Sequence, residues 1–119
     1  MSTPVLYGIP NCDTMKKARA WLSAQGIDVV FHDYKKQGVS AAQIEAWLAL
    51  GASLDALVNR KGTTWRKLDE ASRAQADSRD GAIALLLAQP SLIKRPVLVH
   101  AGRVEIGFSE AAYQALFAL

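Results

Sequence analysis

The N-terminal third of the chain alternates between strand-forming and helix-forming segments, and this order constrains the fold more than any other feature. Residues 5–9 are apolar and lie between two prolines, which is typical of a short buried strand. Apolar residues then recur at helical spacing from Met15 to Leu22, and Gly26 supplies a helix stop. Strand propensity returns at residues 29–34. Two strands joined by a helix through short links predict a βαβ unit with parallel strands and a right-handed crossover.

The middle of the chain, residues 40–89, carries no strand signal and is expected to be wholly helical. Ser40 and Gln43 have the spacing of a capping box, in which each side chain binds the backbone of the other residue. Ser78 or Asp80 precedes a strongly apolar helix that ends before a proline.

The C-terminal part returns to strands. Residues 97–100 and 103–106 are rich in β-branched residues and flank Ala101 and Gly102. This pattern predicts a β-hairpin in which Gly102 supplies a positive φ. Ser109 is positioned to cap a last helix.

The complete order is β-α-β, a helical block, then β-β-α. It predicts an α/β fold with one four-stranded mixed sheet and helices on its faces. No linker, repeat or low-complexity tract divides the chain. We therefore expect a single domain over residues 1–119, with a helical insertion at about 40–89.

Composition excludes several classes of protein. The chain has 119 residues, half of them apolar, and a net charge of +3, which suits one globular domain. Its one cysteine, Cys12, allows no internal disulfide and no multi-cysteine zinc site, so no metal centre is expected. The longest apolar run, residues 82–88, is too short to span a membrane, and no signal peptide is recognisable, so we expect a cytoplasmic protein. The basic residues form no run or stripe, so nucleic acid is not an expected partner.

Cys12 follows the first strand, at the predicted start of the first helix. Helix N-termini carry unpaired N–H groups and a partial positive charge, which stabilise a thiolate and lower the pKa of a cysteine. Thr14 can donate a hydroxyl hydrogen bond to the sulfur, and Asn11 and Asp13 make the surroundings polar. The alternative is a small buried apolar side chain, as free cysteines often are. The polar surroundings favour a reactive thiol.

Met15 occupies the position of the second cysteine in a Cys-x-x-Cys motif. A mixed disulfide on Cys12 therefore has no internal resolving thiol, and a redox cycle must close with an external thiol. Arg60 and Arg95 are candidates for binding an oxyanion or carboxylate, because a guanidinium offers two parallel hydrogen bonds. The alternative for each arginine is a solvated loop charge. The bond from Arg95 to Pro96 is one that can be cis.

Five blocks of the sequence are familiar in combination. They are residues 7–18 (YGIPNCDTMKKA), 31–34 (FHDY), 59–68 (NRKGTTWRKL), 93–99 (IKRPVLV) and 107–110 (GFSE). Together they span nearly the whole chain and resemble the ArsC/Spx family, in particular the YffB-type branch of small relatives of glutaredoxin-dependent arsenate reductases. The resemblance implies a thioredoxin-like fold with a helical insertion.

The resemblance also implies roles for individual residues. Cys12 corresponds to the family's nucleophile, and Arg60 and Arg95 correspond to two of its oxyanion-binding arginines. The bond before Pro96 is expected to be cis and to lie beside the thiol. Glutathione fits such a site, because its carboxylates can meet the arginines and its sulfur can meet Cys12. The residues expected to contact substrate or glutathione are Asn11, Thr14, Arg60, Arg95 and Pro96.

Two departures from the family pattern bear on activity. Gly107 stands where the arsenate reductases carry a third arginine, so the arsenate site is incomplete. Met15 removes the cysteine pair through which the Spx regulators sense oxidation. What remains fits a monothiol reductase with Cys12 as nucleophile, no permanently bound cofactor, and glutathione or glutaredoxin as the external thiol.

Two alternatives stay open. In the first, the chain is an Spx-like, non-catalytic adaptor that binds a protein partner such as RNA polymerase, with Arg66, Lys67 and Lys94 in the docking surface. In the second, it is a small relative of the reductases in which Cys12 is inert. An activated Cys12 would favour the enzyme over both alternatives.

Overall fold

The sheet defines the architecture of the computed structural model, which describes residues 3–118. The strands in this part are β1 (Val5–Gly8), β2 (Val30–Asp33), β3 (Val97–His100) and β4 (Arg103–Ile106). They form one sheet in the order β2-β1-β3-β4. β1 and β2 run parallel, as the βαβ prediction requires, whereas β1 with β3 and β3 with β4 are antiparallel. The predicted thioredoxin-like class with a four-stranded mixed sheet is confirmed.

Helices surround the sheet in the described part of the chain. They are α1 (Asp13–Ala24), α2 (Tyr34–Gln37), α3 (Ala41–Ala49), α4 (Leu54–Leu57), α5 (Thr63–Arg66), α6 (Glu70–Ala74), α7 (Arg79–Ala88) and α8 (Glu110–Leu116), with 3-10 turns at Gln75–Asp77 and Pro90–Leu92. Within residues 3–118, none of these helices has both the length and the apolar character needed to cross a membrane.

The helix α1 connects β1 to β2 and buries one face. Met15, Ala18, Trp21 and Leu22 are its buried residues, as the helical spacing predicts. The chain leaves the helix through Gly26, whose φ of 72° lies in the left-handed region. A glycine adopts this conformation without the steric cost of a Cβ, so it ends the helix sharply.

Side-chain caps begin α3 and α7, two of the helices between β2 and β3. The Ser40 hydroxyl accepts a hydrogen bond from Gln43 N at 3.1 Å, and the Gln43 side chain accepts one from Ser40 N at 2.9 Å. This is the predicted capping box, and it begins α3. The Ser78 hydroxyl accepts a hydrogen bond from Gly81 N at 3.0 Å and begins α7.

The second strand is shorter than the predicted strand over residues 29–34. The Asp33 side chain accepts hydrogen bonds from Lys35 N at 3.0 Å and Lys36 N at 3.4 Å. These bonds cap α2, which begins at Tyr34, so the helix replaces the end of the predicted strand.

One strand-like contact lies inside the segment expected to be wholly helical. Val58 forms an isolated antiparallel bridge with Ile93. Asn59 N also donates to Leu92 O at 2.8 Å, and Lys94 N donates to Leu57 O at 2.7 Å. A single bridge has no periodicity, so the sequence pattern carries no signal for it. The bridge fixes the residues that lead into the Arg95–Pro96 bond.

The two faces of the sheet bury separate hydrophobic clusters. Leu6 and Leu98 are paired across β1 and β3 and belong to the cluster that packs against α1 and α8. Tyr7 and Val97 form the next pair of β1 and β3, and they pack in the cluster under α3 and α7. This alternation follows from the twofold side-chain period of a strand.

Two backbone features at the C-terminal hairpin agree with the expectations. Ala101 and Gly102 join β3 to β4 with φ values of 50° and 74°, the geometry of a tight hairpin turn. The peptide bond between Arg95 and Pro96, just before β3, is cis.

Candidate functional site

Cys12 lies at the junction of β1 and α1. It is the N-cap residue of α1, with an extended backbone (φ −143°, ψ 130°) and a partly buried side chain. Its carbonyl accepts a hydrogen bond from Lys16 N at 2.9 Å, which closes the first turn of the helix. Cys12 therefore lies at the end of the helix where the backbone N–H groups are left unpaired.

Three donors at Cys12 stabilise a thiolate. Partial burial raises the pKa of the Cys12 thiol, but the N–H of Met15, the guanidinium of Arg95 and the N–H of Thr14 together hold this pKa below its ordinary value. The guanidinium acts both as a hydrogen-bond donor and as a positive charge. The thiolate is the nucleophilic form of a cysteine, and a lowered pKa increases the fraction of Cys12 that is present in this form near neutral pH.

Arg95 is held by a backbone carbonyl and lies beside a buried tyrosine. Its Nη1 donates a hydrogen bond to Ser91 O at 2.9 Å. The buried hydroxyl of Tyr34 also interacts with the guanidinium, and it donates to Ile93 O at 3.3 Å. Burial raises the pKa of Tyr34 to about 12, although the guanidinium acts in the opposite direction. The phenol therefore stays neutral beside the arginine across the physiological range.

A cavity of about 450 Å³ opens in front of the sulfur. Its lining residues come from three separate parts of the chain: Cys12, Thr14, Asn59, Lys94, Arg95, Glu105, Ile106, Gly107, Phe108 and Ser109. The start of α1 supplies the thiol, the segment before β3 supplies Lys94 and Arg95, and β4 supplies Glu105. The volume lies within the range of small-molecule sites, about 300–1,000 Å³.

The structure brings only some of the candidate residues to this cavity. Thr14 and Arg95 line it together with Cys12. Pro96 is buried next to it, and its carbonyl accepts a hydrogen bond from Gly107 N at 2.8 Å. Asn11 is exposed and lines a different depression, beside Asp33 and the lysines of α2.

Arg60 lies in a neighbouring cavity. Its guanidinium forms an ion pair with Asp55 at 3.3 Å and lies over the ring of Trp65, 5.3 Å from the ring centre. This second cavity, of about 270 Å³, shares Asn59 and Lys94 with the cavity of Cys12. Arg60 is therefore next to the thiol site but does not line it.

Four polar residues of the cavity were not among the candidates for substrate binding: Asn59, Lys94, Glu105 and Ser109. Lys94 and Asn59 flank the two candidate arginines in sequence, so their position beside Arg95 and Arg60 is the one signal available. Glu105 carries no sequence signal, because nothing in a β-hairpin pattern shows which of its residues faces a ligand.

The arrangement can perform thiol chemistry with one sulfur. Among residues 3–118, Cys12 is the free cysteine, and the side chain at position 15 is the fully buried thioether of Met15. The described residues contain no group of three His, Cys, Asp or Glu side chains at metal-binding spacing. A sulfur attached to Cys12 must therefore be removed by a thiol from another molecule.

Known proteins resemble the whole of this structure. The solved structure of the YffB protein is 51% identical, with a TM-score of 0.88, over 95% of this chain and 97% of that one. An arsenate reductase (ArsC) related protein from Brucella melitensis is 48% identical, with a TM-score of 0.74, over 99% of this chain and 97% of its own.

Curated relatives extend the comparison to regulators. An uncharacterised protein from Haemophilus influenzae is 43% identical over 95% of this chain and 97% of its own. The global transcriptional regulator Spx from Streptococcus pyogenes is 28% identical over 92% of this chain and 81% of its own.

A family model that matches nearly the whole chain assigns this protein to a family. The model of the ArsC family matches residues 7–116, a range that includes Cys12, Arg95 and every other residue that lines the cavity. The resemblance inferred from the five sequence blocks is thus confirmed, and the chain belongs to the ArsC family.

Proposed function

We propose that this protein is a glutathione-dependent monothiol reductase that uses Cys12 as its nucleophile. The observation that carries the proposal is the position of the Cys12 sulfur, at a helix N-terminus and beside Arg95, in a cavity large enough for a small thiol. Membership of the ArsC family and the likeness to an arsenate reductase related protein support reductase chemistry.

The reaction takes place in two thiol–disulfide exchange steps. The Cys12 thiolate attacks the glutathione sulfur of a mixed disulfide, the sulfur–sulfur bond of the substrate breaks, and the substrate leaves as a thiolate that takes up a proton. A second glutathione thiolate then attacks the glutathione bound to Cys12. Free Cys12 and glutathione disulfide are released, so the substrate is reduced and glutathione is oxidised.

The residues around the thiol have separate roles in this proposal. Arg95 stabilises the attacking thiolate, and Thr14 contributes its N–H to the same sulfur. A ligand that extends past Asn59 and Lys94 reaches Arg60 in the neighbouring cavity. The cytoplasm, where glutathione is kept reduced, is the compartment in which we place the reaction.

The first experiment measures the alkylation rate of Cys12 against pH, with detection by intact mass. We expect a midpoint below the ordinary cysteine value of about 8.5, because the three donors favour the thiolate. The protein is then incubated with glutathione disulfide, and a Cys12–glutathione adduct that free glutathione removes is expected.

One control variant makes the experiment decisive. Cys12→Ser must lose both the adduct and turnover of a glutathione mixed disulfide, while its circular dichroism spectrum stays that of the wild type. Normal turnover by this variant, or a midpoint at or above about 8.5, would exclude the reductase.

A second candidate function rests on the likeness to Spx, a global transcriptional regulator. In this proposal the chain is an adaptor that binds a protein partner such as RNA polymerase. Arg66, Lys67 and Lys94 are exposed and would contribute to the docking surface. Co-purification of polymerase in stoichiometric amount, undiminished in Cys12→Ser, would favour the adaptor, and failure to recover any stoichiometric partner would exclude it.

A further inference from the structure

The cavity of Cys12 contains two opposite charges that the thiol does not use. Lys94 and Glu105 both line it. The ion pairs found among residues 3–118 include neither side chain, so the two charges do not neutralise each other or pair with a neighbour there. Opposite charges that face the same cavity without being paired are complementary to a ligand that carries both signs.

Lys94 is held at the cavity wall by its packing against Gly107. The backbone of Lys94 is fixed by the hydrogen bond from its N to Leu57 O at 2.7 Å. A Cβ on Gly107 would lie 3.3 Å from Cε and 3.8 Å from Nζ of Lys94. The lysine side chain therefore occupies the space that a side chain at position 107 would need, and its ammonium group stands beside the backbone of a buried residue.

Lys94 is available to a ligand because Arg95 serves the thiol. The Arg95 guanidinium donates to Ser91 O and lies near the Tyr34 hydroxyl and the Cys12 sulfur. The groups that lower the pKa of Cys12 include Arg95 but not Lys94. The two neighbouring cations therefore have different tasks, one for the nucleophile and one for the molecule that it attacks.

We propose that Lys94 and Glu105 form a subsite for the zwitterionic α-amino acid group of a disulfide substrate. The Lys94 ammonium donates hydrogen bonds to the substrate carboxylate, and the Glu105 carboxylate accepts hydrogen bonds from the substrate ammonium. The subsite rests on the proposed function, because it selects the disulfide that Cys12 attacks. In that step the substrate sulfur–sulfur bond breaks, a bond forms between Cys12 and one sulfur, and the other leaves as a thiolate.

The test compares four small disulfides that differ in charge. They are cystine (zwitterionic), dithiodipropionate (carboxylates only), cystamine (ammonium groups only) and hydroxyethyl disulfide (neutral). The rate of mixed-disulfide formation on Cys12 is measured by intact mass for the wild type, Lys94→Met and Glu105→Gln. Lys36→Met is the matched control, because Lys36 is exposed and lies outside the cavity. Thermal unfolding and Cys12 alkylation against pH are recorded for every variant.

We expect Lys94→Met to lose the preference for carboxylates and Glu105→Gln to lose the preference for ammonium groups. Wild type reacts about tenfold faster with cystine than with hydroxyethyl disulfide. Lys94→Met slows cystine and dithiodipropionate by about three- to tenfold, and Glu105→Gln slows cystine and cystamine by a similar factor. All variants react with the neutral disulfide at the wild-type rate and keep the wild-type midpoint of Cys12 alkylation. The control variant reacts with all four disulfides at the wild-type rates.

The contrary outcomes separate this inference from the proposed function. Equal reaction of wild-type Cys12 with all four disulfides, or a change in a variant that is the same for all four, overturns the subsite and leaves the reductase standing. Failure of Cys12 to react with any of the disulfides overturns both.

Discussion

The thioether of Met15 lies directly against the α-carbon of Gly8, so that α1 packs on β1 just below Cys12. A Cβ on Gly8 would be 2.6 Å from Cε of Met15 and closer still to its sulfur. Met15 is fully buried in the cluster between the sheet and α1. Met15, at the position of the second cysteine in a Cys-x-x-Cys motif, thus fixes the start of α1, where Cys12 lies.

We expect Gly8→Ala to lower the free energy of unfolding by about 1–3 kcal/mol, because the added methyl group overlaps Met15. Met15→Ala alone should cost about 2–5 kcal/mol through the cavity it leaves. In the double variant the methyl group enters that space, so the loss should be smaller than the sum of the two. Urea unfolding of the four proteins checks this, and simple additivity would contradict the contact.

Arg95→Met should raise the pKa of Cys12. The guanidinium is one of the groups that lower this pKa, so its removal shifts the alkylation midpoint upwards, towards about 8.5. The alkylation rate should then fall severalfold at pH 7 and match the wild type at pH 10, where both thiols are ionised. Arg103→Met, on the exposed edge of the hairpin, is the control and should leave the profile unchanged. An unaltered midpoint in Arg95→Met would show that the helix N-terminus acts alone.

The stability of the protein should decrease in alkaline solution. Burial raises the pKa of Tyr34 to about 12 and raises that of Tyr113 as well, against about 10 in the unfolded chain. A raised pKa in the folded state means that the stabilisation is complete below pH 10 and is lost as the pH rises towards 12. Urea unfolding at pH 9, 10 and 11 should show a progressive loss of about 1 kcal/mol or more.

Tyr34→Phe separates the contribution of one tyrosine to this pH dependence. It removes the hydrogen bond to Ile93 O, so it should cost about 1 kcal/mol at neutral pH. It should also make the fall in stability between pH 9 and 11 less steep, because one titrating group is gone. A slope identical to that of the wild type would contradict the assignment.

Arg60→Ala should distinguish long ligands from short ones. Because Arg60 lies in the neighbouring cavity, the variant should react with hydroxyethyl disulfide at the wild-type rate and with glutathione disulfide more slowly, by about two- to fivefold. Its stability should change by less than about 1 kcal/mol, since the ion pair with Asp55 is at the surface. Equal effects on both disulfides would mean that no ligand reaches Arg60.

Local sequence signals predicted the frame of the site. The strand before Cys12, the helix after it and the hairpin at Gly102 are all found where the periodicity and the turn residues indicated. The predicted end of the second strand, at residue 34, was wrong. The Asp33 side chain accepts hydrogen bonds from two backbone N–H groups, and this cap overrides the strand propensity of Tyr34.

The sequence by itself determined the position of Cys12 at a helix N-terminus and the absence of a second thiol at position 15, because both depend on neighbouring residues in the chain. Only the tertiary structure decided which charges meet the sulfur. The bridge between Val58 and Ile93 and the packing of Lys94 on Gly107 bring Arg95 and Lys94 to the cavity and leave Arg60 beside it. These contacts join residues far apart in the chain, and their energies come from packing and burial that no local pattern records.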